Sequence, residues 1–373
     1  MGIPLFQEQA LAIAIDVAGM TPAEADQLRR SMGHIRKADR LRSSLGRLQM
    51  RLVQQGLPEQ ASKQIAEDLL SFAHYGFPEA HAWSFGLLSY ATAWLKANHP
   101  ASFYTALLNC QPMGFYPPGV LVNDARRHGL TILPPCIHKG RWLTQQLDER
   151  CLRLGLGLIR GLGPSLQRRL ETTTALPAEV PGIVRALDLN RRECSLLARA
   201  GAFDAFVDGR RKAAWSALGA TEHRPLDRES AVAFGLPEAS TSESILLDYA
   251  ATGISIHGHP VEVFRDPSDT MPIAQLNDQQ AGERTSVLGM VIARQAPETA
   301  GGVVFLLLED ETGLLNVVVN PKVARQSSEA VRFGSFLRVS GRVQVDTGAR
   351  DLYAERIVDV GRSIDGAHSR DFH

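Results

Sequence analysis

The period of the apolar residues changes once along this chain, near residue 284, and that change dictates the fold class. Up to about residue 217 apolar positions recur at helical spacing; beyond 284 they alternate every second residue, as in half-buried strands. Strands are expected over 286–294, 302–309 and 314–320, a helix over 322–332, and two more strands over 335–345 and 352–359. Three strands, a helix and two strands is the order of an OB-fold, a small closed barrel. At 373 residues the chain has room for two or three domains, each with its own core. It therefore reads as multidomain: mainly α, followed by a small all-β barrel. The expected divisions are a helical domain over 1–135, a connector over 136–150 and a second helical region over 151–217. A linker with a short helix over 218–283, the barrel over 284–362 and a frayed tail over 363–373 complete the chain.

Within the first domain a helix is expected from Leu5 to Ala18, stopped by Gly19. "TPAE" follows as a capping box, with Thr21 as N-cap, Pro22 in the first helical position and Glu24 reaching back. That second helix runs to Met32 and stops at Gly33. After "YGFP" (75–78) a long helix fits Glu79 to Asn98, where Trp83, Leu87, Tyr90 and Trp94 make one apolar stripe, read as core. Residues 220–245 are polar and rich in breakers, as a linker is.

Lysine plus arginine (40) equals aspartate plus glutamate (40), so net charge offers no hint of a polyanionic partner. Only six of the forty cations are lysine, however, so a cationic site here is built from guanidinium groups, whose fork suits phosphate oxygens. The charge is also uneven. Between Asp26 and Arg51 stand Arg29, Arg30, Arg36, Lys37, Arg40, Arg42, Arg47 and Arg51 against Asp26 and Asp39. Cys110, Cys136, Cys151 and Cys194 form no CxxC pair, which argues against a zinc ribbon or redox dithiol and for small core residues in a reducing compartment. No apolar run reaches the roughly 20 residues that span a bilayer, and the N-terminus lacks signal-peptide features. The expectation is a cytoplasmic protein without membrane partners.

Three segments carry candidate binding chemistry. On the second helix Ala25, Leu28 and Met32 make the buried face, leaving Arg29 and Arg30 on or beside the exposed one. Adjacent guanidiniums either clamp a triphosphate or pair internally, as Asp26 and Arg30 are spaced to do. In "GLGLIRGLGPSLQRRL" (155–170), Gly161, Leu162 and Gly163 lie between an apolar turn and a helix. That pattern is either a helix-hairpin-helix, whose amides approach a phosphate, or a plain turn between helices. Arg160, Arg168 and Arg169 add charge beside it, and a glycine-poor second unit follows over 189–206. In "SFLRVSGRVQV", Phe336, Arg338 and Arg342 fall on the face opposite Leu337, Val339, Val343 and Val345. An aromatic between arginines suits single-strand binding; a solvated barrel face explains the pattern equally.

Acidic chemistry is thin. Glu309, Asp310 and Glu311 precede Thr312 and Gly313 and read as a hairpin turn, and "HGHP" (257–260) reads as a turn rather than a metal pair. No pattern offers carboxylates on neighbouring strands for a two-metal site, and no catalytic or metal-ligating residue is assigned.

These segments, in this order, resemble the C-terminal third of bacterial C-family polymerases, the DNA polymerase III alpha-subunit group. The carriers are "GIPLFQEQALAIAIDVAGMTPAEADQLRRSMG" (2–33), "YGFPEAHAWSFGLLSYATAWLKANHPASFYTALLN" (75–109), "IRGLG" (159–163), "RAGAFDAF" (199–206), "GISIHGHP" (253–260) and "FLLLEDETGLLNVVV" (305–319). "LLNCQPMGFYPPGVLVNDARRHG" (107–129), "VVFLLLEDETG" and "SRDFH" are most similar to the error-prone branch. The resemblance implies that 1–135 is a fingers domain and 151–217 a tandem helix-hairpin-helix region holding primer-template DNA. It makes 284–362 an OB domain near single-stranded template. It places Arg29, Arg30 and His81 at the incoming nucleotide.

By the same resemblance the family's palm, with its catalytic aspartates and magnesium ions, has no counterpart here. Met1 falls inside the family's fingers, so the chain is expected to be a truncated or split reading frame. Alone it is expected to bind DNA and dNTP without polymerising. The implied partners are a separately encoded palm and, indirectly, mutasome accessory proteins and the sliding clamp; the implied setting is damage-induced translesion synthesis. Three departures stand out: residues 172–188 match poorly, Asn320 replaces a tryptophan common in the error-prone branch, and "IHKGRW" (137–142) differs from the family's turn. Two other readings remain at this point: a non-enzymatic DNA-binding module, and an unstable truncated product.

Overall fold

The computed structural model describes residues 6–32, 38–72, 78–114, 116–207, 209–221, 236–297, 300–346, 349–361 and 370–372, with the side chains of 38–40 and 370–372 excepted. The expected helix start at Leu5, its successor's stop at Gly33, most of "YGFP", Arg36, Lys37, the Arg40 side chain and linker residues 222–235 lie outside these. The chain divides into two units, Met1–Trp94 and Leu95–His373.

The first unit is helical. α1 (Gln7–Ala12) continues as a π-helical turn over Ile13–Val17, followed by α2 (Pro22–Ser31), α3 (Ala38–Gln54), α4 (Glu59–Phe72) and α5 (Glu79–Asn98), whose last residues enter the second unit. The capping box forms as the sequence predicts: the Thr21 N–H donates to Glu24 Oε2 at 2.8 Å, and the Glu24 N–H to Thr21 Oγ1 at 3.3 Å. Leu41, Leu45, Leu48 and Leu52, one face of α3, pack with Ala10, Ala14, Met20, Ala25, Leu28 and Leu69 into the core.

The aromatic stripe of α5 corrects the sequence reading. No residue of this helix is buried; Trp83, Leu87 and Tyr90 are 74%, 71% and 73% exposed. The helix is apolar on nearly every face, so its stripe shows only that it suits an apolar neighbour.

In the second unit α6 (Pro100–Asn109) and α7 (Pro118–Arg127) precede a small sheet of β1 (Thr131–Leu133), β2 (Gln145–Gln146) and β3 (Cys151–Arg153), ordered β1-β3-β2, of which only β2 lies inside the expected connector; β1 and β3 flank it. Next come α8 (Pro164–Thr172), α9 (Val180–Ala186), α10 (Arg191–Arg199), α11 (Arg210–Thr221), α12 (Thr241–Thr252) and α13 (Pro260–Phe264). The latter two occupy the expected linker. Their Ile245, Tyr249 and Val261 are buried, so this stretch is structural despite its polar composition.

The barrel consists of β4 (Arg284–Gln295), β5 (Val304–Glu309), β6 (Leu314–Val319), α14 (Pro321–Gln326), α15 (Ser328–Phe333), β7 (Phe336–Asp346) and β8 (Ala349–Asp359). Antiparallel β4–β5 pairing closes the order β5-β6-β8-β7-β4, with β6 and β8 parallel. Inward residues from every strand, among them Val287, Leu306, Val317, Val339 and Leu352, fill it. The five expected strands and intervening helical segment are present. Of the expected frayed tail, 363–369 and His373 lie outside the described residues; at its end β9 (Arg370–Phe372) adds parallel to β4 through Ala293–Gln295. Of the cysteines, Cys136 and Cys194 are buried as expected, whereas Cys110 is exposed.

Candidate nucleic-acid interface

The glycine hairpin is built from the backbone upward. Ile159 is buried in the core that α8 shares with α9–α11, and the chain leaves it through Arg160. Gly161 then takes φ +85°, a conformation L side chains avoid. Gly163 caps α8 without a side chain, and Pro164 supplies no amide hydrogen. The N–H groups of Gly161, Gly163 and Ser165 make no hydrogen bond to described residues. An extended cap, a positive-φ glycine and open amides at a helix start together leave donors available to an oxyanion.

The charge around it is distributed differently from the expectation. Arg160 is held by α12: its N–H donates to the Ala251 carbonyl at 2.8 Å and Nη1 to the Tyr249 carbonyl at 3.2 Å. Arg169 is paired with Glu193 of α10 at 2.5 Å. Arg168 is exposed, and among the described residues its side chain makes only a 3.5 Å bond from Nε to the Pro164 carbonyl. A further guanidinium beside the hairpin glycine is one the sequence reading did not single out. A Cβ on residue 161 would stand 3.2 Å from Nη2 of Arg192.

On the barrel the alternation of β7 is as read through Val343, whereas Val345 at its far end is exposed, and its outward face is not free along its length. Phe336 is fully buried, 4.9 Å ring to ring from Phe264, in a cluster with Val120, Tyr249, Val261 and Leu288. It is core between barrel and helices, not a stacking platform. Arg338 is bound to Asp269 at 2.9 Å, and Arg342 to Glu355 at 2.9 Å. The Arg342 bond, with Arg284 beside it, holds the Glu355 carboxyl below its ordinary value of 4.5.

A more open aromatic row lies further round. Phe305 on β5 pairs with Val318 on β6, Val318 with Tyr353 on β8, and Tyr353 with Arg342 on β7. Directly paired residues share a face, and the alternate residues Leu306, Leu352 and Val343 are buried inside, so the row points outward. Phe305 is 38% exposed. Single-strand alternation could have suggested Phe305 or Tyr353 alone; only the register joins them.

In the first unit, Arg29 and Arg30 share one carboxylate. Arg29 donates through Nε and Nη2 to Asp26 Oδ1 at 3.0 and 2.9 Å, and Arg30 through Nε to Oδ2 at 2.7 Å. The internal pairing left open by the sequence is thus present, and extends to both arginines. These bonds, that from Arg29 foremost, hold the Asp26 carboxyl below its ordinary 3.8. His81 lies on α5, its ring 4.3 Å from that of Phe85.

The acidic turn is an anchor rather than a metal site. Glu309 Oε1 accepts from both terminal nitrogens of Arg127 at 3.1 Å, and Asp310 Oδ2 from Arg265 and the Ile273 N–H, each at 2.8 Å. Arg265 also binds Glu311. Among the described residues no three His, Cys, Asp or Glu side chains are grouped to hold a metal ion, so the magnesium pair of phosphoryl transfer has no fitting ligand set there. His259 caps α13, with Nδ1 accepting from the Val261 N–H at 3.2 Å, and His257 Nδ1 lies 2.9 Å from Asp248. Asn320 caps α14, accepting from the N–H groups of Lys322 and Val323. No described helix is long and apolar enough to cross a membrane.

Family comparisons fall on the same segments. Residues 1–56 match the bacterial DNA polymerase III alpha subunit finger domain, 129–213 a helix-hairpin-helix motif, and 285–360 an OB-fold nucleic acid binding domain. The chain is 40% identical to error-prone DNA polymerases of Burkholderia pseudomallei and Mycobacterium tuberculosis, each matched over 100% of this chain. It spans 37% and 35% of those relatives' lengths. By sequence the chain is thus homologous, from end to end, to a C-terminal portion of the error-prone DNA polymerases.

Proposed function

We propose that this chain is the DNA-holding and nucleotide-gripping portion of an error-prone polymerase. Its hairpin at Gly161–Ser165 holds a backbone phosphate of primer-template DNA through amides and a guanidinium, a grip that ignores base sequence. The barrel row Phe305, Val318, Tyr353 supports single-stranded template by stacking, with Arg342 at its end for the backbone. Arg29 and Arg30, with His81, meet the triphosphate of the incoming dNTP, exchanging Asp26 for phosphate oxygens. Bond formation takes its magnesium-binding carboxylates from outside the described residues, so the chain alone holds substrates without joining them. In the cell the assignment is synthesis across damaged template, with clamp and accessory proteins engaged through other parts of the assembly.

The open donor surface at Gly161–Ser165, within a matched helix-hairpin-helix segment, carries this reading. Fluorescence anisotropy with labelled primer-template DNA tests it. Binding that weakens steeply with salt and is lost in Gly161→Val supports the reading, whereas no binding at low salt removes it.

A further inference from the structure

The two helix-hairpin-helix units turn with the same backbone form and opposite chemistry. In the first, Gly161 at φ +85°, Leu162 and the N-cap Gly163 lead into α8. In the second, Asp188 at φ +47°, Leu189 and the N-cap Asn190 lead into α10.

In the second hairpin the donors of the turn and its cap are taken. The Asp188 and Leu189 N–H groups donate to the Arg185 and Val184 carbonyls at 3.2 and 2.9 Å. The Asn190 N–H donates to Glu193 Oε2 at 3.0 Å, and the Glu193 N–H returns to Asn190 Oδ1 at 2.9 Å. A carboxylate therefore closes the positive end of α10, and a second carboxylate, Asp188, stands where the first unit has glycine. Both would repel a phosphate.

The same α10 nevertheless reaches the first hairpin. Arg192 and Leu196, one turn apart, lie against Gly161, each with an atom 3.2 Å from where a Cβ would be. Glu193, between them, binds Arg169 of α8. Arg192 is exposed and makes no hydrogen bond or ion pair among the described residues, in contrast to Arg160 and Arg169. A guanidinium with no carboxylate to give up contributes its full charge to an arriving phosphate.

We infer that the phosphate grip is composite: the first hairpin supplies the amides, Arg192 of the second unit supplies the cation, and the second hairpin is a buttress that holds no phosphate itself. This rests on the DNA-holding reading above. The test is an anisotropy titration of the full chain against a labelled blunt duplex of about 20 base pairs across a salt series. Arg192→Gln is expected to lower affinity about tenfold and to reduce the salt slope by about one phosphate, with Arg192→Lys retaining part of the affinity. Arg185→Gln, beside the second hairpin, is expected to change affinity less than about twofold. Binding untouched by Arg192→Gln but lost in Gly161→Val overturns this inference alone. An Arg185→Gln loss equal to that of Arg192→Gln overturns the buttress role. No duplex binding by the unaltered chain overturns the DNA-holding reading and this inference with it.

Discussion

Arg127 of α7 grips Glu309 at the end of β5 with both terminal nitrogens 3.1 Å from one carboxylate oxygen that solvent does not reach. Asn123 donates to the other oxygen at 3.3 Å, and His259 Nε2 stands 3.7 Å from it. This pair ties the barrel to α7. Removing Arg127 leaves a buried carboxylate with weaker partners. Arg127→Ala is expected to cost about 3 kcal/mol, within the range for a broken buried pair, read as a lower urea midpoint at unchanged slope. Arg127→Ala together with Glu309→Gln should recover part of that loss.

Phe336 and Phe305 separate structure from binding on the barrel. Phe336→Ala opens a cavity in a closed cluster and is expected to cost about 3–5 kcal/mol of stability. Phe305→Ala and Tyr353→Ala should leave the melting temperature nearly unchanged. Each is expected to weaken binding to a labelled oligothymidine by about 1–3 kcal/mol, the range for one base–aromatic stack.

Asp26 holds Arg29 and Arg30 away from other anions. Asp26→Asn should therefore raise affinity for a deoxynucleoside triphosphate, and the double variant Arg29→Gln with Arg30→Gln should lower it, both read by calorimetry. The pH dependence has a definite sign. Because the folded carboxyl titrates below 3.8, the pairing contributes fully above that value and is lost only as pH falls through the depressed one. Between pH 5 and 8 the Asp26 contribution should be flat. A triphosphate affinity unchanged in Asp26→Asn would show that these arginines are structural.

Gly161 has two separate reasons to be glycine, its positive φ and its closeness to Arg192 and Leu196. Gly161→Ala is expected to cost about 1 kcal/mol from the backbone alone, with a further loss of DNA affinity as the α10 side chains are displaced. Gly163→Ala, with nothing within 4 Å of its Cβ and an extended backbone, should be milder in both.

Much of the fold was legible because it depends on local chemistry. The Thr21 capping box, the five barrel strands and the Gly161 turn follow from neighbours a few residues away. The losses occurred where a distant element decides. β7 alternation separates Phe336 from Leu337 without revealing that α12 and α13 cover its outer end. The acidic run at 309–311 has the composition of a surface turn; Arg127 and Arg265, more than forty residues away in sequence, bury it. Arg192 stood in the glycine-poor second unit without being singled out, and only the packing of α10 on Gly161 marks it. The α5 stripe has the spacing of core, but spacing does not supply a partner.

The open amides of the first hairpin are the centre of this account, and the most direct measurement compares primer-template affinity of the unaltered chain and Gly161→Val over a salt series. The account predicts log affinity falling linearly with log salt for the unaltered chain and a loss of at least about tenfold in the variant at every salt. Equal affinities across the series, with both proteins folded, would contradict it.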